Sequence, residues 1–160
     1  MNRGIKILVL LFFISGCGLR PLYSINNQKT VKELSQIEVS SINSIEGAEF
    51  LYKINSILPS KTVIKYKLNV SLKYSESHGI IQKNSDVLRE NRNLFASYSL
   101  VDISSGTVIT SGSFTKLSSR SNTFSPYENT LKGQDSFKYL AYTAAEEIRN
   151  RLILFFEHQK

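Results

Sequence analysis

The stretch TVIKYKLNVSLKYS at residues 62–75 constrains the fold more than any other part of the chain. Between residues 64 and 74, apolar or aromatic side chains occupy the even positions and polar side chains the odd ones. The even positions hold Ile64, Tyr66, Leu68, Val70, Leu72 and Tyr74, and the odd positions hold Lys65, Lys67, Asn69, Ser71 and Lys73. Because successive side chains of a strand point to opposite faces, this alternation predicts a long strand with one buried face and one basic, hydrated face.

Three further segments have the patterns of strands. Residues 36–40 (QIEVS) predict a short strand, and residues 94–103 (LFASYSLVDI) predict a long one that ends in the tight reversal SSG. Residues 107–118 (TVITSGSFTKLS) predict the returning strand, and the segment around Gly79 predicts an irregular hairpin. The alternation places four side chains on one side of the first of these two strands, and four side chains of the returning strand are expected in register. The first set is Leu94, Ala96, Tyr98 and Leu100, and the second is Val108, Thr110, Gly112 and Phe114.

Two segments show the spacing of amphipathic helices. The first covers residues 45–58, where Ser44 is placed to cap the start and Pro59 to stop the end. The second runs from Asp135 or Ser136, either of which can cap it, to the C-terminus. Its apolar positions follow one another at intervals of three or four residues: Phe137, Ala141, Ala144, Ile148, Leu152 and Phe155.

The order β-α-β-β-β-β-α predicts an α+β fold of two layers. We expect a mainly antiparallel sheet of four to five strands with two helices on one face. The polar segment 24–33 predicts a tether, and the segment 118–132, rich in serine and asparagine, predicts an extended loop. A chain with one cysteine forms no intramolecular disulfide, so apolar packing has to hold this fold together.

The N-terminus has the features of a bacterial lipoprotein signal. Arg3 and Lys6 precede an uncharged apolar run at residues 7–14, which is far shorter than the roughly 20 residues that a membrane-spanning helix needs. The tetrapeptide ISGC at residues 14–17 resembles the lipobox, in which the cysteine thiol receives a diacylglycerol, a peptidase cleaves before the cysteine, and the new amine is acylated. We therefore expect Cys17 to be lipidated; the alternative is a buried free cysteine after an uncleaved helix.

These features predict three parts of the chain. Residues 1–16 are expected to be a signal peptide, residues 17–34 a lipid anchor and tether, and residues 35–160 a single domain. Acyl chains on Cys17 would hold the protein firmly to a bilayer. Gly18 stands where aspartate is the usual enterobacterial signal for retention in the inner membrane, so we expect the periplasmic side of the outer membrane.

The residues after the lipobox resemble a known family. The heptapeptide CGLRPLY at residues 17–23 is similar to the CGFRPLY start of the alphaproteobacterial lipopolysaccharide-assembly lipoproteins, the LptE family, with Leu19 in place of the aromatic residue. The resemblance continues more loosely through the strands at residues 66–72 and 96–102. It ends with the helical segment AAEEIRNRLILFF at residues 144–156.

This resemblance implies a fold and a role. Members of the family pack two helices against a four-stranded sheet and sit inside the lumen of the large outer-membrane barrel LptD, as its plug and assembly partner. The complex inserts lipopolysaccharide into the outer leaflet, and the lipoprotein itself can bind lipopolysaccharide. The resemblance therefore implies no chemical step, no cofactor and no metal on this chain.

Two groups of residues are candidates for contacts with these partners. Lysine and arginine side chains on a rigid strand would bind the phosphates and carboxylates of lipopolysaccharide through charge-assisted hydrogen bonds. The candidates are Lys65, Lys67 and Lys73 on one strand face, with Arg89 and Arg92 on the next strand as neighbours. The alternative for each of them is an ordinary solvated charge.

The leader after Cys17 forms the second group. Pro21 stiffens the chain and favours an extended Arg20, and Tyr23 suits a membrane interface or a groove on a partner. We expect Arg20, Pro21 and Tyr23 to dock against the barrel wall or lipid headgroups. The alternative is a tether with no fixed contact.

Other classes of function have less support. The sequence has no nucleophile elbow, phosphate loop, His-Glu-x-x-His or Cys-x-x-Cys motif, and His78 and His158 stand alone. The net charge is +7, or +5 without Arg3 and Lys6, and no nucleic-acid-binding motif accompanies it. An enzyme or a nucleic-acid-binding protein is therefore not expected. The open alternative is a stand-alone lipoprotein that faces the periplasm and binds lipid or cell wall.

Overall fold

A computed structural model describes residues 28–81, 87–121 and 126–159 of the protein, and this part of the chain contains three helices and four strands. The expected strand at residues 36–40, the first expected helix and the three long strands are all present. In chain order the elements are α1 (Gln28–Ser35), β1 (Ile37–Val39), α2 (Ile45–Ile57), β2 (Tyr66–Ile81), β3 (Val87–Asp102), β4 (Val108–Ser121) and α3 (Pro126–His158).

The four strands form one sheet in the order β1-β2-β3-β4. The short β1 runs parallel to β2, while β2, β3 and β4 pair antiparallel in sequence order. Along β2 the even positions face the core and the lysines at odd positions are exposed, as the alternation predicts. The prediction of an α+β fold with a mainly antiparallel sheet is therefore confirmed.

The turn from β3 to β4 confirms the predicted reversal and adds an irregularity. The Asp102 carboxylate accepts the backbone N–H groups of Ser104 (2.8 Å) and Ser105 (3.2 Å), and Gly106 takes the positive φ of 67° that the turn requires.

Past this turn the register shifts, because Val101 pairs with Val108 whereas Leu100 pairs with Thr110. The extra residue of this β-bulge turns Val108 away from the core, with 59% of its surface exposed. The expectation that Val108 is in register with Thr110, Gly112 and Phe114 is wrong for this reason.

Helix α2 begins and ends where the sequence predicts. The Ser44 side chain accepts the N–H of Gly47 at 2.9 Å and so caps the first turn. At the other end the Leu58 N–H bonds to the Ile54 carbonyl, and Pro59 follows in the chain. Phe50 and Ile54 lie four residues apart and are fully buried against the sheet and α3.

Two segments that were predicted to be irregular are regular where the structure describes them. In the expected tether at residues 24–33, α1 starts at Gln28, and its Thr30 and Leu34 lie on one side and are buried. The expected loop at residues 118–132 is wrong at residues 118–121 and 126–132, and residues 122–125 lie outside the described part.

In that region β4 continues to Ser121 by pairing with β3, and α3 starts at Pro126. Proline is well suited to the first helical turn, where its missing N–H costs no hydrogen bond. Asp135 and Ser136 therefore lie inside α3 and do not cap it.

The core lies between the sheet and one layer of helices. Three alanines of α3, at positions 141, 144 and 145, are completely buried and let the helix approach the strands closely. The buried side chains that meet them from the sheet are Leu68, Leu94, Ala96 and Leu100. Because the helices pack on this one side, the opposite face of the sheet has no covering element in the described part of the chain.

Gly47 offers a test of the packing beneath α2. A Cβ atom at this position would lie 2.8 Å from the Ile42 Cβ and 2.9 Å from the Ile42 carbonyl oxygen. Alanine normally stabilises a helix over glycine by about 1 kcal/mol, but here we expect Gly47→Ala to lower the free energy of unfolding by about 1–3 kcal/mol through overpacking. Urea unfolding measures this change. The exposed Ser56→Ala in the same helix serves as control with an effect within about 0.5 kcal/mol, and a stabilising Gly47→Ala would contradict the packing.

Candidate functional site on the uncovered face of the sheet

The uncovered face of the sheet, which we call the outer face, is rich in small polar side chains. Residues at odd positions of β2 and β3 and their partners on β4 point to this side. Two rows cross its centre, formed by Asn69, Ser99 and Ser111 and by Ser71, Ser97 and Ser113. Hydroxyl and amide groups on a flat surface can bond to water or to polar groups of a partner.

Two large apolar side chains interrupt this polar surface. Phe95 is 43% exposed and Leu117 is 62% exposed, and both lie on the outer face of neighbouring strands. The sheet pairs Phe95 with Thr115 and Asn93 with Leu117, so the two apolar side chains are diagonal neighbours. They form a small exposed apolar patch on the outer face.

The structure places two of the predicted lysines together and the third apart. Lys65 is exposed just before β2 and Lys67 is exposed on the outer face near the start of that strand, whereas Lys73 lies about 20 Å further along it. The Lys65 ammonium lies 4.9 Å from the centre of the Tyr66 ring. Interaction with the Tyr66 side chain raises the pKa of Lys65, so this group stays charged at neutral pH.

Arg92 lies on the opposite face from these lysines. The register pairs Arg92 with Glu76, on the side of the sheet that α3 covers, and only 7% of the residue is exposed. Its Nε lies 2.9 Å from the Glu76 carboxylate, and its guanidinium lies 4.2 Å from the centre of the Phe137 ring. The expectation that Arg92 neighbours the lysines is therefore wrong, because an even position on β3 faces the core side.

Other predicted site residues lie outside the part that the structure describes. The backbone of Arg89 pairs with Ile80 on β2 and Ser121 on β4, but its side chain is not among the described ones. Cys17 lies outside the described residues, as do the leader residues Arg20, Pro21 and Tyr23. Their roles stay predictions.

A charged cluster at the free edge of β4 was not predicted from the sequence. Glu147 of α3 bonds to Arg151 at 2.8 Å and to Lys116 of β4 at 3.0 Å. Arg151 also donates to the Ser113 carbonyl at 3.3 Å, so it covers part of the strand edge. The spacing of Glu147 and Arg151 by four residues was visible in the sequence, whereas the contact with β4 depends on tertiary packing.

The described residues contain no cluster of three or more His, Cys, Asp or Glu side chains that could bind a metal ion. His158 bonds through its ring to the carbonyl of Leu154 in its own helix. Within the same residues, no helix is both long and apolar enough to cross a membrane.

The sequence has a close relative in a bacterium. It is 39% identical over 150 residues to the uncharacterised protein RP188 of Rickettsia prowazekii, covering 94% of this chain and 95% of the relative. The chain belongs to the RP188 family. No family model matches the sequence.

Solved structures show which fold the RP188 family has. A protein of Caulobacter crescentus assigned as a lipoprotein superposes with a TM-score of 0.64 at 18% identity, over 80% of this chain and 96% of that one. Uncharacterised lipoprotein B of Nitrosomonas europaea gives 0.56 at 10% identity, over 76% and 82% of the two chains. Rare lipoprotein B of Shewanella oneidensis gives 0.54 at 8% identity, over 71% and 88%. The RP188 family therefore shares the fold of these lipoproteins.

Replacing Arg92 of β3 should destabilise the fold more than replacing Lys73 of β2. We expect Arg92→Ala to lower the free energy of unfolding by about 1–3 kcal/mol, because it removes a buried cation from Glu76 and from the Phe137 ring. Lys73→Ala on the outer face should change it by less than about 0.5 kcal/mol. Thermal or urea unfolding of both variants measures this difference, and equal effects would contradict the placement of Arg92.

The cluster of Lys116, Glu147 and Arg151 at the β4 edge should stabilise the fold by an amount that depends on pH. Hydrogen bonds from Arg151 and then from Lys116 lower the pKa of Glu147 below the ordinary value of 4.5. A carboxyl group whose pKa is lower in the folded state stabilises the fold at pH values above its ordinary pKa. This stabilisation is lost as the pH falls through the pKa of the folded state. We expect Glu147→Gln to cost about 0.5–1 kcal/mol at neutral pH, since these side chains are partly exposed.

This cost should shrink as the pH falls below 4.5. Urea unfolding of the two proteins at a series of pH values measures it. A cost that did not vary with pH would mean that the ionised carboxylate of Glu147 contributes nothing.

Proposed function

We propose that the protein is a lipoprotein of the LptE type, anchored through Cys17 on the periplasmic side of the outer membrane, where it plugs and helps to assemble an LptD-type barrel. Two observations together support this proposal. The chain has the fold of rare lipoprotein B, which is another name for LptE, and its residues 14–23, ISGCGLRPLY, combine a lipobox-like tetrapeptide with the LptE-like heptapeptide. Neither the fold nor the N-terminal motif depends on the other, so together they favour this role over a lipoprotein of another type.

The outer face suits a domain that sits in the lumen of a barrel. Barrel interiors of the porin type are polar, so a plug needs polar surfaces that can remain hydrated or bond to the wall. The serine and asparagine rows on the outer face supply such a surface, and the apolar contacts of the fold are buried on the other side of the sheet. The exposed Phe95 and Leu117 add a spot where the wall can make apolar contact.

In this role the protein takes part in inserting lipopolysaccharide into the outer leaflet without catalysing a chemical step. Lys65, Lys67 and Lys73 stay the candidates for binding its phosphates, because all three are exposed and the last two lie on the outer face. Arg92 is less suited to this role, since Glu76 and Phe137 already surround its guanidinium. Arg20, Pro21 and Tyr23 would dock the leader against the barrel or the headgroups.

Replacing the lipidated cysteine tests this proposal in the native bacterium. We expect Cys17→Ser to lower the level of folded barrel and of lipopolysaccharide at the cell surface as strongly as depletion of the protein does. Ser15→Ala, which keeps a small residue in the lipobox, should leave both unchanged. Antibody labelling of surface lipopolysaccharide and the heat-modifiable mobility of the barrel measure these effects.

The competing role predicts a different result. A stand-alone lipoprotein that binds lipid or cell wall would be lost from the membrane by Cys17→Ser, but surface lipopolysaccharide and the barrel would remain at wild-type levels. That outcome would overturn the proposed function.

A further inference from the structure

Helix α1 joins the fold at one end of the sheet, which we call the proximal end. The Ser35 carbonyl at the end of α1 accepts the Thr62 N–H at 3.0 Å. The Glu33 carboxylate accepts the hydroxyl of Tyr66, the first residue of β2, at 2.8 Å. Because α1 is eight residues long, Gln28 lies within about 12 Å of Ser35. The chain that follows Cys17 therefore connects to the domain near its proximal end.

The other end of the sheet, where β2 ends at Ile81, is the distal end. The 16 residues of β2 extend for about 50 Å, so Gln28 is at least about 30 Å from the distal end. Ten residues separate Cys17 from Gln28. A flexible chain of this length spans about 18 Å on average and about 40 Å when it is fully extended. Cys17 is thus within easy reach of the proximal end only.

This short connection limits how an anchored domain can enter a barrel. The acyl chains lie in the bilayer outside the barrel and the domain lies inside it, so the chain has to pass the periplasmic rim of the wall. A layer of strands with its side chains is roughly 10 Å thick. With the proximal end at the periplasmic mouth, this step is the main distance to cover. With the distal end at the mouth, the chain would need at least about 40 Å, which is its full extension.

The charges of the outer face are distributed unevenly between the two ends. From Asn69 to Ser77 of β2, the outer face has five positions on each of three strands, and Lys73 is the one charged side chain among them. We call these positions the low-charge region, and it includes Phe95 and Leu117. Near the proximal end, by contrast, partly or fully exposed side chains of both signs lie together: Glu33, Glu38, Lys61, Lys65, Lys67 and Asp102.

This distribution agrees with the limit that the short connection sets. The cores of protein interfaces are poor in charged residues, because a charge that loses its water in a contact costs free energy. The low-charge region therefore suits close contact with a wall, with Phe95 and Leu117 as its apolar centre. The mixed charges of the proximal end suit a place that stays in contact with water.

From these observations we propose that the domain enters the barrel with its distal end first. The proximal end, with α1 and the turn between β3 and β4, lies at the periplasmic mouth. The low-charge region lies deeper in the lumen and contacts the inner wall through Phe95 and Leu117. This inference rests on the proposed function and adds an orientation and a contact surface to it.

Photo-crosslinking in the native bacterium tests the orientation. A photoreactive amino acid replaces either Ile103, which is exposed at the proximal end, or Ser77, which is exposed near the distal end. Mass spectrometry then identifies the captured barrel peptides, which are sorted by their distance from the short periplasmic turns and the longer extracellular loops. We expect position 103 to capture peptides next to the periplasmic turns and position 77 to capture peptides nearer to the extracellular loops. The reverse order would overturn the proposal.

A matched pair of substitutions on β4 tests the contact surface. Leu117 and Val108 are similarly exposed, at 62% and 59%, but Val108 lies near the proximal end, where its partner Val101 pairs with Lys67. We expect Leu117→Glu to reduce the amount of barrel that co-purifies with the protein at least about five-fold, as the loss of an interface centre does. Val108→Glu should leave this amount unchanged, and neither variant should alter the thermal unfolding of the isolated domain. Equal effects of the two substitutions on co-purification would overturn the proposal.

The wild-type preparation keeps these tests separate from the proposed function. If the barrel co-purifies with the wild-type protein but the crosslinks appear in the reverse order, the orientation is wrong and the role as a plug remains. If no barrel co-purifies with the wild-type protein, the proposed function is contradicted and this inference with it.

Discussion

The close packing of α3 on one face of the sheet is the contact on which the rest of the structure depends. Ala141, Ala144 and Ala145 bring the helix near the strands, and the buried leucines of β2 and β3 fill the space between them. A chain with one cysteine has no internal disulfide to support this arrangement, so the apolar layer is the main contact between the helix and the sheet, and Glu147 and Arg151 add polar contacts to β4. Because the layer covers one face only, the other face is open to solvent in the part of the chain that the structure describes.

Because the helices cover one face of the sheet only, the cations on the strands lie in two different environments. Arg92 points to the covered face, where it contacts an aromatic ring and a carboxylate and so stabilises the fold. Lys67 and Lys73 point to the uncovered face and are exposed. Residues of similar charge on neighbouring strands thus lie in different environments, because side chains alternate between the two faces.

Much of the fold could be predicted from local patterns. The alternation in β2 and the capped, proline-terminated α2 each combine several signals that agree, and both are confirmed. Helix α1 could not be predicted from such patterns, because Thr30 and Leu34 make its buried contacts in an otherwise polar segment. The placements of Val108 and Arg92 depend on a β-bulge and on the register between strands, which a single strand does not encode. The cluster of Lys116, Glu147 and Arg151 joins a strand to a distant helix and likewise requires the tertiary fold.

Native mass spectrometry of the protein purified from detergent-solubilised outer membranes would show whether it is an acylated subunit of a barrel complex. We expect a one-to-one complex with a large barrel protein, in which the small subunit has the mass of residues 17–160 plus three acyl chains. A free polypeptide of residues 1–160 with an unmodified Cys17 thiol and no barrel bound to it would contradict the proposed function.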